Sequence, residues 1–145
     1  MSESVFVDTN VLIYRIALDQ PTKQPKAELW LAELWASQSG RVSFQVLQEY
    51  FVRATRQRPE LRNTVRAEIR DLLAWRPVVI DASLLEHAWT VQDRYRITFW
   101  DSLIVAAAKA ASCRWLLTED LQANQHLDGV TVINPFEVTP DQLPA

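Results

Sequence analysis

Several stretches of this chain are apolar but too short to be helices, chief among them Ser4 to Val7, Trp115 to Thr118 and Val130 to Ile133. Between them lie longer segments whose apolar residues recur every three or four positions, the period of an amphipathic helix. Alternation of this kind predicts an α/β chain, because parallel strands can be joined only through a long crossover, usually helical. The expected architecture is a three-layer α/β/α sandwich around a mainly parallel sheet. In open sheets of this type, ligands sit beyond the carboxyl ends of the strands. Acids stand at two such ends: Asp8 follows Val7, and Glu119 and Asp120 follow Thr118.

The helical segments can be placed one by one. Val11 to Ala17 reads as a short helix with Asp8, Thr9 or Asn10 near its N-cap, and Asp19 to Pro25, with two prolines, as a loop. Lys26 to Gln38 sets Ala27, Trp30, Leu31, Leu34 and Trp35 at helical spacing, with Gly40 where a C-terminal glycine is expected. A weak strand, Arg41 to Phe44, leads into a helix over Gln45 to Arg56 that Pro59 closes. Leu61 to Trp75 is a further helix, with Leu61, Val65, Ile69 and Leu72 inward and Arg62, Arg66 and Arg70 stacked one turn apart, before Pro77 stops it. Val78 to Ile80 reads as a strand and Ser83 to Arg94 as a helix. Asp101 to Ser112 is alanine-rich and apolar almost all round, hence a central helix.

A length of 145 residues suits one domain, here 1–145, with a C-terminal tail from about 138. Hydrophobic residues at 48% and charged residues at 23% are ordinary globular usage. Six tryptophans against two glycines supply much aromatic surface for a core or a partner. The lone Cys113 cannot form an internal disulfide, and with the two histidines it lacks zinc-site spacing. The N-terminus lacks the pattern of a secretory signal, and the longest apolar run, Leu103 to Ala108, is too short to span a bilayer. A cytoplasmic protein with no membrane association is expected. The net charge of −3 argues against bulk attraction to nucleic acid, yet seven arginines between Arg53 and Arg76 face only Glu60, Glu68 and Asp71, a local balance of +4.

Four acids stand out by setting. Asp8 closes the first strand beside two oxygen-bearing side chains, Thr9 and Asn10; a helix N-cap would account for it equally well. Glu49 lies one turn after Gln45 and one turn before Arg53, so its helix position also fits a surface pair with Arg53. Asp101 follows Thr98, Phe99 and Trp100 and opens the alanine-rich helix, where capping and the helix dipole both favour an acid. Asp120 ends its strand as Asp8 does. Gathered together, these groups would repel by several kcal/mol at about 4 Å, and arginines, shared protons or a hard divalent cation must compensate.

The stretches Val-Asp-Thr-Asn at 7–10, Ser-Phe-Gln-Val-Leu-Gln-Glu-Tyr at 43–50, Phe-Trp-Asp-Ser-Leu-Ile at 99–104, Leu-Leu-Thr-Glu-Asp-Leu-Gln at 116–122 and Ile-Asn-Pro-Phe at 133–136 occur in this order. Together they resemble the PIN-domain nucleases, in particular the VapC-type toxins of toxin–antitoxin pairs, over nearly the whole chain. The resemblance implies a Mg2+-dependent (or Mn2+-dependent) endoribonuclease with Asp8, Glu49, Asp101 and Asp120 as its catalytic and metal-holding acids. Asn10 and Thr118 would support them, and Glu119 is the alternative to Asp120. It further implies an RNA substrate, a cognate antitoxin held near Trp30 and Trp35, and a homodimer.

Arg62, Arg66 and Arg70 are candidate phosphate contacts, although a solvated helix face partly paired with Glu68 and Asp71 explains them equally. His87 reads as structural; His126, close after the acids, has a conceivable catalytic part. Two rival readings stand beside the nuclease. One is an inactive or regulatory PIN-like module that binds metal or RNA, against which all four acids weigh. The other is a metal-dependent phosphatase or receiver-like domain, which would carry a second aspartate where Asn10 stands.

Overall fold

A five-stranded sheet lies at the centre of the computed structural model, which describes residues 3–144. The elements run β1 (Val5–Val7), α1 (Thr9–Arg15), α2 (Lys23–Ser37), β2 (Gly40–Arg41), α3 (Phe44–Gln57), α4 (Arg62–Leu72), α5 (Ala82–Tyr95), α6 (Phe99–Ala110), β3 (Trp115–Leu117), β4 (His126–Leu127) and β5 (Val130–Ile133). Short 3-10 turns occupy Pro59–Leu61, Leu73–Trp75 and Pro140–Gln142. Strand order is β2-β1-β3-β5-β4, parallel except where β4 meets β5. Helices cover the sheet in the expected α/β sandwich, and β1 and β3 are buried throughout, as strands flanked on both faces must be.

Most elements fall where the periodicity places them, and the departures have physical causes. Helix α2 begins at Lys23 rather than Lys26, so Pro25 stands in its first turn, where the missing N–H would have no intrahelical partner anyway. Gly40 does not end that helix. Gln38 takes the left-handed position (φ 57°), and Gly40 enters β2 instead. There a β-carbon would come within 2.5 Å of the Trp75 ring, so the glycine makes room for an indole. The expected strand over Val78 to Ile80 contracts to a single parallel bridge between Val78 and Ser43. The helix expected over Leu61 to Trp75 is a regular α4 flanked by two 3-10 turns. The hairpin strand β4 escapes the periodicity because two residues show none.

One hydrophobic cluster runs from β1 through α6 to β5 and includes Trp30, Trp75, Phe6 and Tyr50. Trp30 and Trp35, expected on one apolar helix face, part company: Trp30 is fully buried, whereas Trp35 is 41% exposed. Nor is the chain from 138 a loose tail. The Trp30 Nε1–H donates to the carbonyls of Pro135 and Val138, and Val138 and Leu143 pack against the core. Glu68 does not answer the arginine stripe on α4; it turns inward to Arg15 and accepts from the Tyr50 hydroxyl at 3.0 Å, tying α4 to α1 and α3. Among the described residues no helix is long and apolar enough to cross a membrane.

Candidate active site

Register builds the centre of the site. Val7 pairs with Leu117 in the parallel β1–β3 ladder, so the next residues, Asp8 and Thr118, emerge side by side at the carboxyl end of the sheet. Asp8 caps α1 by accepting the Thr9 N–H at 2.7 Å. Its other oxygen takes the Thr118 hydroxyl proton at 2.9 Å. With its proton committed, the Thr118 oxygen accepts from the Asn10 amide at 2.9 Å and from the Asp120 N–H at 3.1 Å. Asn10 also donates to the Asp120 carboxylate at 3.1 Å. Asp8, Asn10, Thr118 and Asp120 thus form one buried-to-exposed network in which the two supporting residues orient the two acids.

Glu49 reaches this corner from α3. Its two oxygens accept from the Thr9 hydroxyl at 3.1 Å and the Gln45 amide at 3.0 Å. The expected pairing with Arg53 gives way to these inward bonds, because Thr9 at the start of α1 faces α3. Gln45 stands one helical turn before Glu49, a spacing legible in the sequence; Thr9 is 40 residues away and was not.

Asp101 stands in the first turn of α6 but does not cap it. Thr98 is the cap, its hydroxyl accepting the Asp101 N–H at 3.1 Å, which frees the carboxylate from capping. Glu119 takes a different course from its neighbour: Lys23 donates to it at 2.8 Å while also reaching the Tyr14 hydroxyl at 3.3 Å. The ammonium lies over the rings of Tyr14 and Phe136 as well. Of the adjacent pair, Asp120 faces the acid network and Glu119 an ion pair. Lys23 was not foreseen, since nothing local links it to a loop 96 residues on.

Electrostatics unite the four acids. Asp8 is raised to about 7, first by burial and further by the charges of Asp120 and Glu49, despite the lowering bonds from Thr9 and Thr118. Asp101 is also raised, chiefly by burial and again by Asp120 and Glu49, with Thr98 acting the other way. Among the described residues no three acids converge closely enough to enclose an ion. Mutual repulsion spreads carboxylates in the absence of a counter-charge, and magnesium keeps several of its waters, so not every carboxylate that holds it has to touch it. The donor set is all oxygen, and the Asn10 carbonyl oxygen is buried there with no hydrogen-bond partner. A buried acceptor in that state is costly, while the amide nitrogen of Asn10 is the end turned to the acids.

The remaining candidates lie outside the network. Arg62, Arg66 and Arg70 are exposed on α4, with the Arg66 guanidinium over the Phe51 ring. His87 contacts Asp128 at 2.6 Å, and the hydroxyl of Tyr95 holds the Asp128 N–H at 2.8 Å, a fastening of the β4–β5 turn onto α5. His126 pairs with the Thr131 hydroxyl across the same hairpin. Cys113 is buried, and burial pushes its thiol up to about 12.

Comparison with known proteins agrees with this architecture. The PIN domain family model matches residues 5–126, from β1 into β4. No curated protein matches the chain. Among solved structures, a toxin–antitoxin complex from Klebsiella pneumoniae is similar at 20% identity and a TM-score of 0.65, covering 93% of this chain and 100% of that one. The FitAB complex bound to a DNA fragment gives 20% identity and a TM-score of 0.72 over 92% and 96% of the two chains. VapC20 of Mycobacterium tuberculosis, described as a sarcin-ricin loop cleaving toxin, gives 23% and 0.60 over 78% and 87%. With a family model spanning most of its length, this chain belongs to the PIN domain family.

Proposed function

We propose that the chain is a divalent-metal-dependent endoribonuclease and the toxin half of a toxin–antitoxin pair. The observation that carries this reading is that Asp8, in its hydrogen-bonded network with Asn10, Thr118 and Asp120, and Asp101 both feel the charges of the same two acids, Asp120 and Glu49, in a chain of the PIN domain family whose structural neighbours include a cleaving toxin. Asp8, Asp101 and Asp120 would hold the ion, Mg2+ or Mn2+, and Glu49 would stand beside it. A bound divalent ion supplies charge neutralisation for in-line attack on a phosphodiester and lowers the pKa of an attacking water.

The chain's own residues do the positioning. Asn10 and Thr118 hold Asp8 and Asp120 at fixed orientation, as partners behind ligands must. Thr9 and Gln45 hold Glu49 with lone pairs to spare, since an ionised carboxylate offers about four, so that it can accept a hydrogen bond from the attacking water. Arg62, Arg66 and Arg70 would contact phosphates along the strand. Cleavage leaves a 5′-phosphate and a 3′-hydroxyl.

The antitoxin has a place to dock. A groove of about 390 Å³ runs between α1, α2 and α4, floored by Leu12, Leu31, Leu72 and Trp75, with Trp35 beside it and Glu28, Asp71 and the Arg15–Glu68 ion pair among its walls. Apolar floor and acidic walls fit an amphipathic helix with basic flanks. A second, smaller apolar groove over Phe44, Phe51, Val52 and Ile69 would serve the homodimer.

An RNA cleavage assay tests the reading directly. Wild type should cut in Mg2+ and stop in chelator, while Asp8→Asn and Asp101→Asn should be inactive though folded. Cleavage that persists in chelator, or variants as active as wild type, would remove the metallonuclease.

A further inference from the structure

We propose that Lys23 is a positioning residue: its ammonium, lodged against two aromatic rings, holds Glu119 and so fixes the loop that presents Asp120 to a divalent ion. The inference rests on the metallonuclease reading and adds to it what orders the fourth acid before the ion arrives.

Asp120 lies on the segment 118–125, which joins β3 to β4 without helix or strand. Two sets of bonds hold this segment. Toward the acids, the Asn10 amide donates to the Asp120 carboxylate at 3.1 Å, and the Asp120 N–H bonds to the Thr118 hydroxyl oxygen at 3.1 Å. Away from them, Lys23 donates to Glu119 at 2.8 Å and to the Tyr14 hydroxyl at 3.3 Å. Asn10 and Tyr14 stand four residues apart on α1, hence on one face and about 6 Å apart along its axis. The loop is therefore fastened to two successive turns of the same helix, directly by Asp120 and through Lys23 by Glu119. Residues 119 and 120 share one planar peptide, so holding both side chains leaves that unit little freedom to turn.

The ammonium is itself held. It lies 4.8 Å from the centre of the Tyr14 ring and 5.2 Å from that of Phe136, and the two rings meet edge-on at 5.0 Å and 78°. Phe136 cannot drift away easily, because its carbonyl accepts from Lys26 at 3.0 Å and its N–H donates to the Asn134 side chain at 2.9 Å. The neighbouring carbonyls of Pro135 and Val138 take the Trp30 indole N–H. Lys23, Lys26 and Trp30 of α2 thus grip the C-terminal segment, which lies beyond residue 126, where the family model ends.

Electrostatics gives the latch its purpose. The charge of Asp120 acts on both Asp8 and Asp101, so without an ion the acids push its loop outward. Among the described residues, Lys23 is the one cation ion-paired within this corner. Magnesium demands near-ideal geometry, and a ligand already in place spares the ordering that binding would otherwise require.

The test uses the full chain, Lys23→Met, Lys23→Arg, Asp120→Asn, the double variant Lys23→Met/Asp120→Asn, and Lys26→Met. The last removes a bond from the same helix to the same C-terminal segment but none to the loop. Mn2+ is titrated calorimetrically, and amide exchange of the segment 118–122 is followed in chelator. Lys23→Met should weaken Mn2+ binding about tenfold, the lower end of what partners behind metal ligands contribute, and should quicken exchange of the segment by a similar factor. Lys23→Arg should recover most of both, and Lys26→Met should match wild type. In the Asp120→Asn background, Lys23→Met should change Mn2+ affinity by less than about twofold, because the acid it positions is gone. Cleavage by Lys23→Met should need more Mn2+ for half-maximal rate yet reach the wild-type maximum.

Wild-type Mn2+ affinity and exchange in Lys23→Met overturn the latch. So does an equal loss in Lys26→Met, which would mark a general loosening, or a full tenfold loss on top of Asp120→Asn, which would show Lys23 acting apart from that acid. If wild type binds Mn2+ with this dependence but cleaves no RNA, the nuclease reading fails and the latch stands. If wild type cleaves and Lys23→Met binds Mn2+ as wild type does, the latch fails alone.

Discussion

Asp8 meets two opposed demands: the strand end buries it, and its neighbours charge it. Burial and the charges of Asp120 and Glu49 raise it to about 7 from an ordinary 3.8. In chelator the folded state therefore binds a proton more tightly than the unfolded state, and folded stability falls as pH climbs from about 4 to about 7. The penalty is absent below the unfolded value and complete above the folded one. Asp8→Asn removes it, so the variant should gain on wild type across that window, by an amount on the order of a few kcal/mol at pH 8. Thermal melts of the two proteins in chelator from pH 4 to 8 check this, and parallel curves would refute it. Adding Mg2+ at pH 8 should close the gap by stabilising wild type alone. The adjacent acids at 119 and 120 are expected to separate as well. Asp120→Asn should lower kcat/KM by about two orders of magnitude or more, as loss of a metal-holding group does. Glu119→Gln should stay within about fivefold of wild type, the scale of an exposed ion pair with Lys23. Single-turnover cleavage with both variants decides.

At the scale of elements, close packing sets the tolerances. The helices of this chain were legible because their apolar stripes run for three or more turns, as in the Val46, Leu47, Tyr50 and Ala54 face of α3. Short strands were legible only where burial on both faces made them apolar without interruption, as in β1 and β3. The bridge at Val78 and the two-residue β4 carry no such pattern, and the sheet contacts that define them are tertiary. Gly40 shows the same limit. Its spacing after α2 suggested a helix terminator, yet its role is to admit the Trp75 ring 35 residues later. Gly40→Ala places a methyl inside that ring's van der Waals surface and should cost about 1–3 kcal/mol, read as a lower chemical-denaturation midpoint at unchanged slope. A variant of wild-type stability would show that the indole moves freely aside.

For the whole molecule, the distribution of its tryptophans separates inside from outside. Trp30, Trp75 and Trp115 are buried, Trp35 borders the groove between α1, α2 and α4, and Trp100 is exposed on the first turn of α6. Trp35→Glu puts a like charge beside Glu28 and Asp71 and strips apolar contact, so on the proposed reading it should weaken binding of the antitoxin at least tenfold while leaving RNA cleavage intact. Co-purification with the proposed antitoxin and a cleavage assay on the chain alone separate the two effects. The sequence by itself determined the α/β architecture, the order of its main helices and the strand end at which Asp8 stands, because hydrophobic period and strand polarity are local properties; the residue level with Asp8 on β3 is Thr118, and Asp120 lies in the loop beyond it. Only the tertiary structure decided the rest. It turned Glu49 from Arg53 to Thr9, gave Thr98 the cap that frees Asp101, and handed Glu119 to Lys23. Each of these depends on which side chains meet across 40 to 96 residues of chain, or on which of several neighbouring polar groups wins a single hydrogen bond. Such competition is settled by packing, which no local pattern records.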